Sequence, residues 1–368
     1  MLRVLHARPC GPRPPSRVYF STFLRAAAAG ALCWAVTLGM TRGAGSEGNV
    51  LALPTENDAL FHGGGAAFYQ YIVRDFKGVK STPWQGGQYG FVRNPVETNG
   101  GLVYTRFHEG LDIRPLQRDA NGEPLDAVRS IADGVVAYIN LVPGYSNYGN
   151  YVVVEHRWEG SSYYSLYGHL ASVTVKTGET LARGQQLGVM GHTGEGLDRE
   201  RAHVHLELNL LLGRRFQSWY DAFYKSEPNR HGIYNGINLT GIDIARFYLA
   251  LRRNPGVTIS DFLAGEETFY KVALPPSPNF DLAQRYPWML RKTPESKPAS
   301  WEVSFNRAGV PLVVEPKTTV VTAPTLSFVK KRDGDYSSMT RGVVGGSGEK
   351  ARLTESGERL MRLLIWPE

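Results

Sequence analysis

Short runs rich in β-branched, aromatic and other apolar residues occupy the chain between residues 89 and 212, and glycine turns separate them. Short runs of this composition at regular spacing, bounded by turn residues, are typical of β-strands. Because no helical period intervenes, the pattern predicts an antiparallel β domain. The predicted strands are residues 134–141, 151–158, 163–170, 186–191 and 203–211.

The pattern changes after Gly213. Residues 243–253 carry apolar side chains at helical spacing, with basic residues in the last turn, and predict one helix. Residues 274–298 contain six prolines and predict a linker. Beyond it, four runs could be strands of a small terminal module: 301–305, 311–314, 318–321 and 360–366. The predicted segments are therefore 1–45 (N-terminal signal or anchor), 46–87 (flanking region), 88–213 (central β domain), 214–298 (helix-containing extension with the linker) and 299–368 (possible β-rich module).

Residues 1–45 have the features of an export signal. A basic start precedes the apolar run 26–40, and small and polar residues follow it. About 15 apolar residues suit a signal peptide better than a membrane span, although a retained N-terminal anchor is the alternative. Both interpretations predict an exported protein of the periplasm or cell envelope. Both cysteines, Cys10 and Cys33, fall in this segment, which excludes disulfide chemistry from the mature chain.

The net charge of +7 gives little support for a nucleic-acid partner. Six arginines lie within residues 1–45, a segment without any acidic residue, so the remainder carries about 7 − 6 = +1. We therefore expect no nucleic acid among the partners. Membrane contact is expected only if the N-terminal segment is retained, and the oligomeric state is left open.

Two histidine patterns have spacings that suit metal chemistry. His108 and Asp112 stand four apart, so both would point to the same face if the segment between them is extended. By itself such a pair more often forms a surface hydrogen bond. His203 and His205 share one face of a predicted strand with Glu207, where two imidazoles are costly unless a metal or a polar cluster uses them. A solvated strand face is the alternative.

A further histidine, His169, ends the predicted strand 163–170, where it could simply bond to the backbone. Together the patterns offer two imidazoles and one carboxylate as ligands, with further histidines nearby. Three nitrogen and oxygen ligands with an open fourth position are typical of catalytic zinc, and no thiolates are present to close a structural site. Zinc in such a site activates water at neutral pH and polarises a carbonyl. The other histidines could transfer a proton or stabilise an oxyanion.

Five segments between residues 88 and 212, roughly a third of the chain, resemble in order the lysostaphin-type, or LytM-type, zinc metallopeptidases of peptidoglycan. They are HEGLDI (108–113), ADGVVAYI (132–139), YGNYVVVEH (148–156), LYGHLASVTVKTGETLARGQQLGVMGHTG (166–194) and HVHLEL (203–208). The resemblance implies a mainly β, antiparallel LytM-type catalytic domain with a duplicated hybrid motif, flanked by mixed N- and C-terminal extensions. It also implies a groove over the metal.

The resemblance also assigns roles to five residues. His108, Asp112 and His205 match the family's ligands to Zn²⁺, and His169 and His203 match its two catalytic histidines, whose separate roles stay open. The implied reaction is hydrolysis of a peptide of bacterial peptidoglycan, either a stem-peptide cross-link or a glycine-containing bridge, by metal-activated water.

Several residues near these motifs are not expected to bind the metal or to act in catalysis. His156 is interpreted as structural, and Glu109 and Glu207 as neighbours that orient ligands through hydrogen bonds. His192 and the pair Arg201-Ala202 depart from the family pattern. Three arginines near the motifs, Arg114, Arg199 and Arg201, are candidates for binding a substrate carboxylate or are solvated loop charges.

Three other functions are weighed. A latent wall-binding regulator of other hydrolases would have lost metal ligands, whereas this sequence keeps all three together with both histidines. A non-haem iron oxygenase would place its carboxylate closer to the first histidine and work in the cytoplasm. A general protease of secreted proteins would share the chemistry and differ only in substrate.

Overall fold

The computed structural model describes residues 51–367, and its strands form mainly antiparallel β-sheets. The prediction of a mainly β fold is thereby confirmed. Residues 51–367 belong to one compact unit. The predicted export segment lies outside the described residues. Within residues 51–367, no helix is both long enough and apolar enough to span a membrane.

The described chain contains strands of two to nine residues and several short helices. The strands are β1 (Arg74–Phe76), β2 (Val79–Ser81), β3 (Gly90–Thr98), β4 (Gly101–His108), β5 (Leu111–Ile113), β6 (Ala127–Arg129), β7 (Gly134–Asn140), β8 (Tyr151–Trp158), β9 (Ser161–Gly168), β10 (Ser172–Val173), β11 (Thr180–Leu181), β12 (Gln186–Val189), β13 (Val204–Leu211), β14 (Leu239–Gly241), β15 (Tyr270–Leu274), β16 (Ser300–Phe305), β17 (Pro311–Lys317), β18 (Thr325–Val329), β19 (Val344–Gly345) and β20 (Arg352–Leu353). The α-helices are α1 (Gly65–Phe68), α2 (Phe216–Phe223), α3 (Ile244–Arg253), α4 (Ile259–Ala264), α5 (Leu282–Arg285) and α6 (Glu355–Leu363).

The largest sheet has the strand order β11-β7-β8-β9-β13-β14, and β5 also pairs with β13. Strands β6, β10 and β12 alternate along the chain with strands of the largest sheet and form a three-stranded sheet in the order β10-β12-β6. Strands β3 and β4 form a separate hairpin. All five strands predicted between residues 134 and 211 are present, with ends within two residues of the prediction. Short β-rich runs between turns were therefore sufficient to predict the strands of this part of the chain.

Strand β13 is the centre of the fold, and all eight of its residues are buried. Val204, Leu206 and Leu208 belong to the main hydrophobic core. His205 and Glu207 point to the other side, where further protein covers them. The alternative of a solvated strand face is therefore wrong for this strand.

The segment predicted as a linker packs into the same compact unit. Strand β15 pairs with β16 across the segment, and together with β17 and β18 they form a four-stranded sheet. Phe280, Leu282 and Tyr286 are buried. Residues 274–298 thus form a packed connection, because the apolar residues between the prolines are buried in the hydrophobic core.

Two predictions at the C-terminal end are wrong. Residues 360–366 were expected to form a strand, but residues up to 363 belong to α6, whose N-cap Thr354 accepts a hydrogen bond from the Gly357 N–H. The apolar residues here are spaced for a buried helical stripe, which a short run cannot distinguish from a strand. No strand forms at 318–321, and β18 begins at Thr325. The predicted helix at 243–253 is present as α3, capped by Asp243.

Candidate metal centre

Three strand segments bring His108, Asp112 and His205 together. His108 ends β4, a turn follows, and Asp112 is the middle residue of β5, which places it directly opposite His205 of β13. The turn passes very close to β13: a Cβ on Gly110 would lie 2.3 Å from the Leu206 carbonyl oxygen. His108 and Asp112 therefore converge across a glycine turn, and the segment between them is not one continuous strand.

The three side chains form a tight, buried cluster. His108 Nε2 lies 3.1 Å from His205 Nδ1 and 3.1 Å from Asp112 Oδ1, and His205 Nδ1 lies 2.9 Å from the same oxygen. No more than 5% of any of the three residues is exposed. One donor atom from each lies within 4.8 Å of the other two, a spacing that one metal ion could bridge.

The outer hydrogen bonds of the two imidazoles fix which nitrogens face the centre. His108 Nδ1 lies 2.8 Å from the Gln88 carbonyl oxygen, so this nitrogen donates and Nε2 keeps its lone pair. His205 Nε2 donates to Glu207 Oε1 at 2.9 Å, which leaves a lone pair on Nδ1. In these neutral tautomers, two lone pairs and a carboxylate oxygen face one another without a donor. A cation satisfies such an arrangement, so the residues fit Zn²⁺.

The charges around the centre also favour a cation there. Burial disfavours a charged His205, but the carboxylates of Asp112 and Glu207 outweigh it and raise the pKa of His205 to about 9, so that without a metal a proton occupies the Nδ1 lone pair that a cation would otherwise take. Burial opposes ionisation of Asp112 as well. The nearby His108, His203 and Arg93 outweigh that effect and hold the pKa of Asp112 well below its usual range.

Two neighbours hold the ligands from outside. Arg93 Nη2 donates to Asp112 Oδ2 at 2.5 Å, which leaves Oδ1 facing the histidines. Glu207 receives hydrogen bonds from His205, from the Tyr148 hydroxyl at 2.8 Å and from Asn209 Nδ2 at 2.9 Å. The hydrogen bond between His205 and Glu207 thus agrees with the expectation that Glu207 orients a ligand. Arg93 and Tyr148 were missed by the sequence analysis, although Tyr148 lies in one of the quoted segments.

His169 and His203 stand next to the cluster. Their ring centroids are 4.6 Å apart, and the His169 ring centroid is 5.9 Å from that of His205. Each donates from Nδ1 to a backbone carbonyl, His169 to Thr193 at 2.8 Å and His203 to Arg201 at 2.7 Å. The Nε2 atom of His169 therefore has no hydrogen-bond partner among the described residues. That of His203 lies 3.2 Å from Asp112 Oδ1.

The backbone of His169 is strained. Its φ is 62°, in the left-handed region, which costs about 1 kcal/mol for a residue other than glycine. Such strain persists where the surroundings fix the conformation, and it is often found at functional sites. Burial, with His203 and His205 nearby, lowers the pKa of His169 well below its usual value, so this imidazole is neutral at neutral pH.

The family model of peptidase family M23 matches residues 106–216, a segment that contains all five of these histidine and aspartate side chains. Residues 106–216 are a peptidase family M23 domain.

Two named relatives align with part of the chain. The chain is 39% identical over 87 residues to the peptidoglycan DD-endopeptidase ShyA of Vibrio cholerae, an alignment that covers 24% of this chain and 18% of ShyA. It is 37% identical over 100 residues to the cell division protein DipM of Caulobacter vibrioides, covering 27% of this chain and 14% of DipM. The alignments thus span less than a fifth of each of these two relatives.

Solved structures of peptidases also align with part of the chain. The catalytic domain of lysostaphin from Staphylococcus simulans is 27% identical and covers 33% of this chain and 76% of that domain, with a TM-score of 0.23. A zinc-containing peptidase from Vibrio cholerae is 26% identical and covers 39% of this chain and 36% of that protein, with a TM-score of 0.23.

The candidate centre of the M23 domain opens into a groove of about 1050 Å³. Of the three arginines singled out from the sequence, Arg201 lines the groove. Arg114 instead donates to the Ala66 carbonyl, and Arg199 pairs with Glu123 at 3.0 Å. Segments on both sides of the M23 domain contribute other walls, which sequence motifs did not predict.

Proposed function

We propose that this chain is a zinc-dependent endopeptidase that hydrolyses peptide cross-links of peptidoglycan. The observation that carries the proposal is the convergence of three buried acceptor atoms, from His108, Asp112 and His205, beside two further imidazoles. In this proposal the three residues hold Zn²⁺ and leave a position open toward the groove. Bound zinc would activate water and polarise the scissile carbonyl.

The other two histidines receive the proton-transfer and oxyanion roles. His169 is neutral, and its Nδ1–H is already engaged by Thr193, so its free Nε2 lone pair can accept a proton from the attacking water. His203 Nε2 lies 3.2 Å from Asp112 Oδ1, beside the cluster, where a proton on it could be donated to a developing oxyanion. We therefore assign proton acceptance to His169 and oxyanion stabilisation to His203.

The substrate part of the proposal draws on the relatives. ShyA is named as a peptidoglycan DD-endopeptidase, and this chain is 39% identical to it over 87 residues. Peptidoglycan lies outside the cytoplasmic membrane, which agrees with the export segment expected at residues 1–45. An envelope location follows as part of the same proposal.

Metal content and cleavage measured together would test the proposal. The purified full chain would be analysed for bound metal, then incubated with purified peptidoglycan while new amino termini are followed by mass spectrometry. We expect about one zinc per chain and new termini that a chelator abolishes and added zinc restores. Bound zinc without new termini would contradict the endopeptidase and favour the alternative, a latent regulator of other wall hydrolases.

A further inference from the structure

The β3–β4 hairpin places two arginines directly opposite each other beside the candidate metal centre. In the strand register Arg93 faces Arg106, so both side chains project from the same face of the hairpin. Both line the groove. Like charges in this position destabilise a hairpin, so their presence calls for a compensating anion.

Only one of these two charges is compensated within the described part of the chain. Arg93 pairs with Asp112 and also donates to the Gly86 carbonyl. Arg106 is exposed, and no ion pair or side-chain hydrogen bond is found for it among residues 51–367. Its guanidinium is therefore free to bind a group that enters the groove.

Three further acidic residues line the groove: Asp75, Glu109 and Glu195. Glu109 pairs with Arg341 at 2.6 Å, and Asp75 accepts a hydrogen bond from the Gly78 N–H. Glu195 comes from the loop before β13, which also contributes Arg201. None of these carboxylates lies within ion-pair distance of Arg106 in the described part of the chain.

The distance between Arg106 and the candidate metal centre determines which part of a substrate Arg106 could bind. Arg106 precedes His108 by two residues on β4, so the two side chains share a strand face, and their Cα atoms are about 7 Å apart. An extended peptide also advances about 7 Å in two residues. A group held by Arg106 would thus lie within two residues of a bond being cut at the centre.

We propose that Arg106 is a specificity residue that binds a free carboxylate of the substrate, borne within two residues of the scissile bond. This inference rests on the proposed function and narrows its substrate class to acidic peptides. A guanidinium binds a carboxylate through two parallel hydrogen bonds, which gives both attraction and orientation. An amide in the same position would leave the Arg106 charge uncompensated.

Two synthetic cross-linked peptides would test this, identical except for a free carboxylate or a carboxamide within two residues of the cleaved bond. For the zinc-loaded full chain, Kd and kcat/KM would be measured on both. We expect the wild type to favour the carboxylate peptide about tenfold in both quantities. Arg106→Gln should abolish the preference, and Arg106→Lys should retain part of it. Arg253→Gln, at the exposed end of α3 and outside the groove, should keep it in full.

The variants are expected to fold, because Arg106→Gln removes a repulsion and should not lower the melting temperature. Equal Kd values for the two peptides in the wild type would overturn the inference, as would an unchanged preference in Arg106→Gln. Binding that favours the carboxylate without any cleavage would support the inference and contradict the endopeptidase proposal alone.

Discussion

Replacing Glu207 by Gln probes how the protein holds its candidate zinc ligand. The carboxylate of Glu207 is 1% exposed and accepts three hydrogen bonds, from His205, Tyr148 and Asn209. Glutamine keeps the volume but loses the negative charge. Its NH₂ group must also face one of the donors that the carboxylate accepted, most directly the Asn209 amide.

The expected loss of zinc affinity follows from the contact with His205. The carboxylate keeps the His205 proton on Nε2, directs the Nδ1 lone pair to the metal and makes this imidazole a stronger ligand. Removing such a partner typically costs 10- to 100-fold in metal affinity, which equals about 1.4 to 2.7 kcal/mol. The donor left unpaired should also lower the free energy of unfolding by about 1–3 kcal/mol.

Zinc affinity would be measured by competition with a chromophoric chelator, and stability by urea unfolding of the metal-free protein. Tyr148→Phe removes one of the three hydrogen bonds and keeps the charge, so we expect less than a tenfold loss. Glu155→Gln is the matched control, since Glu155 on β8 pairs with Arg157 and accepts a hydrogen bond from Ser162 on β9, away from the centre. A folded Glu207→Gln variant with the zinc affinity of this control would refute the reasoning.

Three further predictions concern other side chains. Asp112→Ala should abolish both stable zinc binding and peptidoglycan cleavage, and full turnover by a metal-free variant would remove Asp112 from the site. His169→Ala should keep one zinc per chain and lose about 10²- to 10⁴-fold in kcat, whereas release of zinc would make His169 a ligand. His156 is fully buried between the Asp133 carbonyl and the Ser165 hydroxyl, and burial lowers its pKa to about 4. The unfolded chain, with a histidine pKa near 6.5, then binds the extra proton between pH 6.5 and 4, so stability falls as pH falls through that window. From pH 7 to pH 5 this histidine should cost about 2 kcal/mol, measured by urea unfolding, and His156→Gln should lose that part of the pH dependence; equal slopes in both proteins would contradict the pKa.

The sequence predicted most of the central β domain, because the strands from 134 to 211 are short β-rich runs bounded by turns. It failed where short apolar runs were ambiguous. Residues 360–363 became a helix because Thr354 caps it and a core receives its apolar face. The proline-rich segment packed against the body for the same reason: its apolar side chains had partners that are distant in sequence.

The sequence by itself also nominated the residues of the candidate centre, because histidines and a carboxylate in those motifs are chemically distinctive. Tertiary structure alone decided how they meet. His108 and Asp112 converge through a turn that approaches Leu206 closely, and Asp112 meets His205 only because β5 pairs with β13. Arg93, Tyr148 and Arg106 gained their places from strand pairing and loop packing, and contacts of that kind leave no local pattern in a sequence.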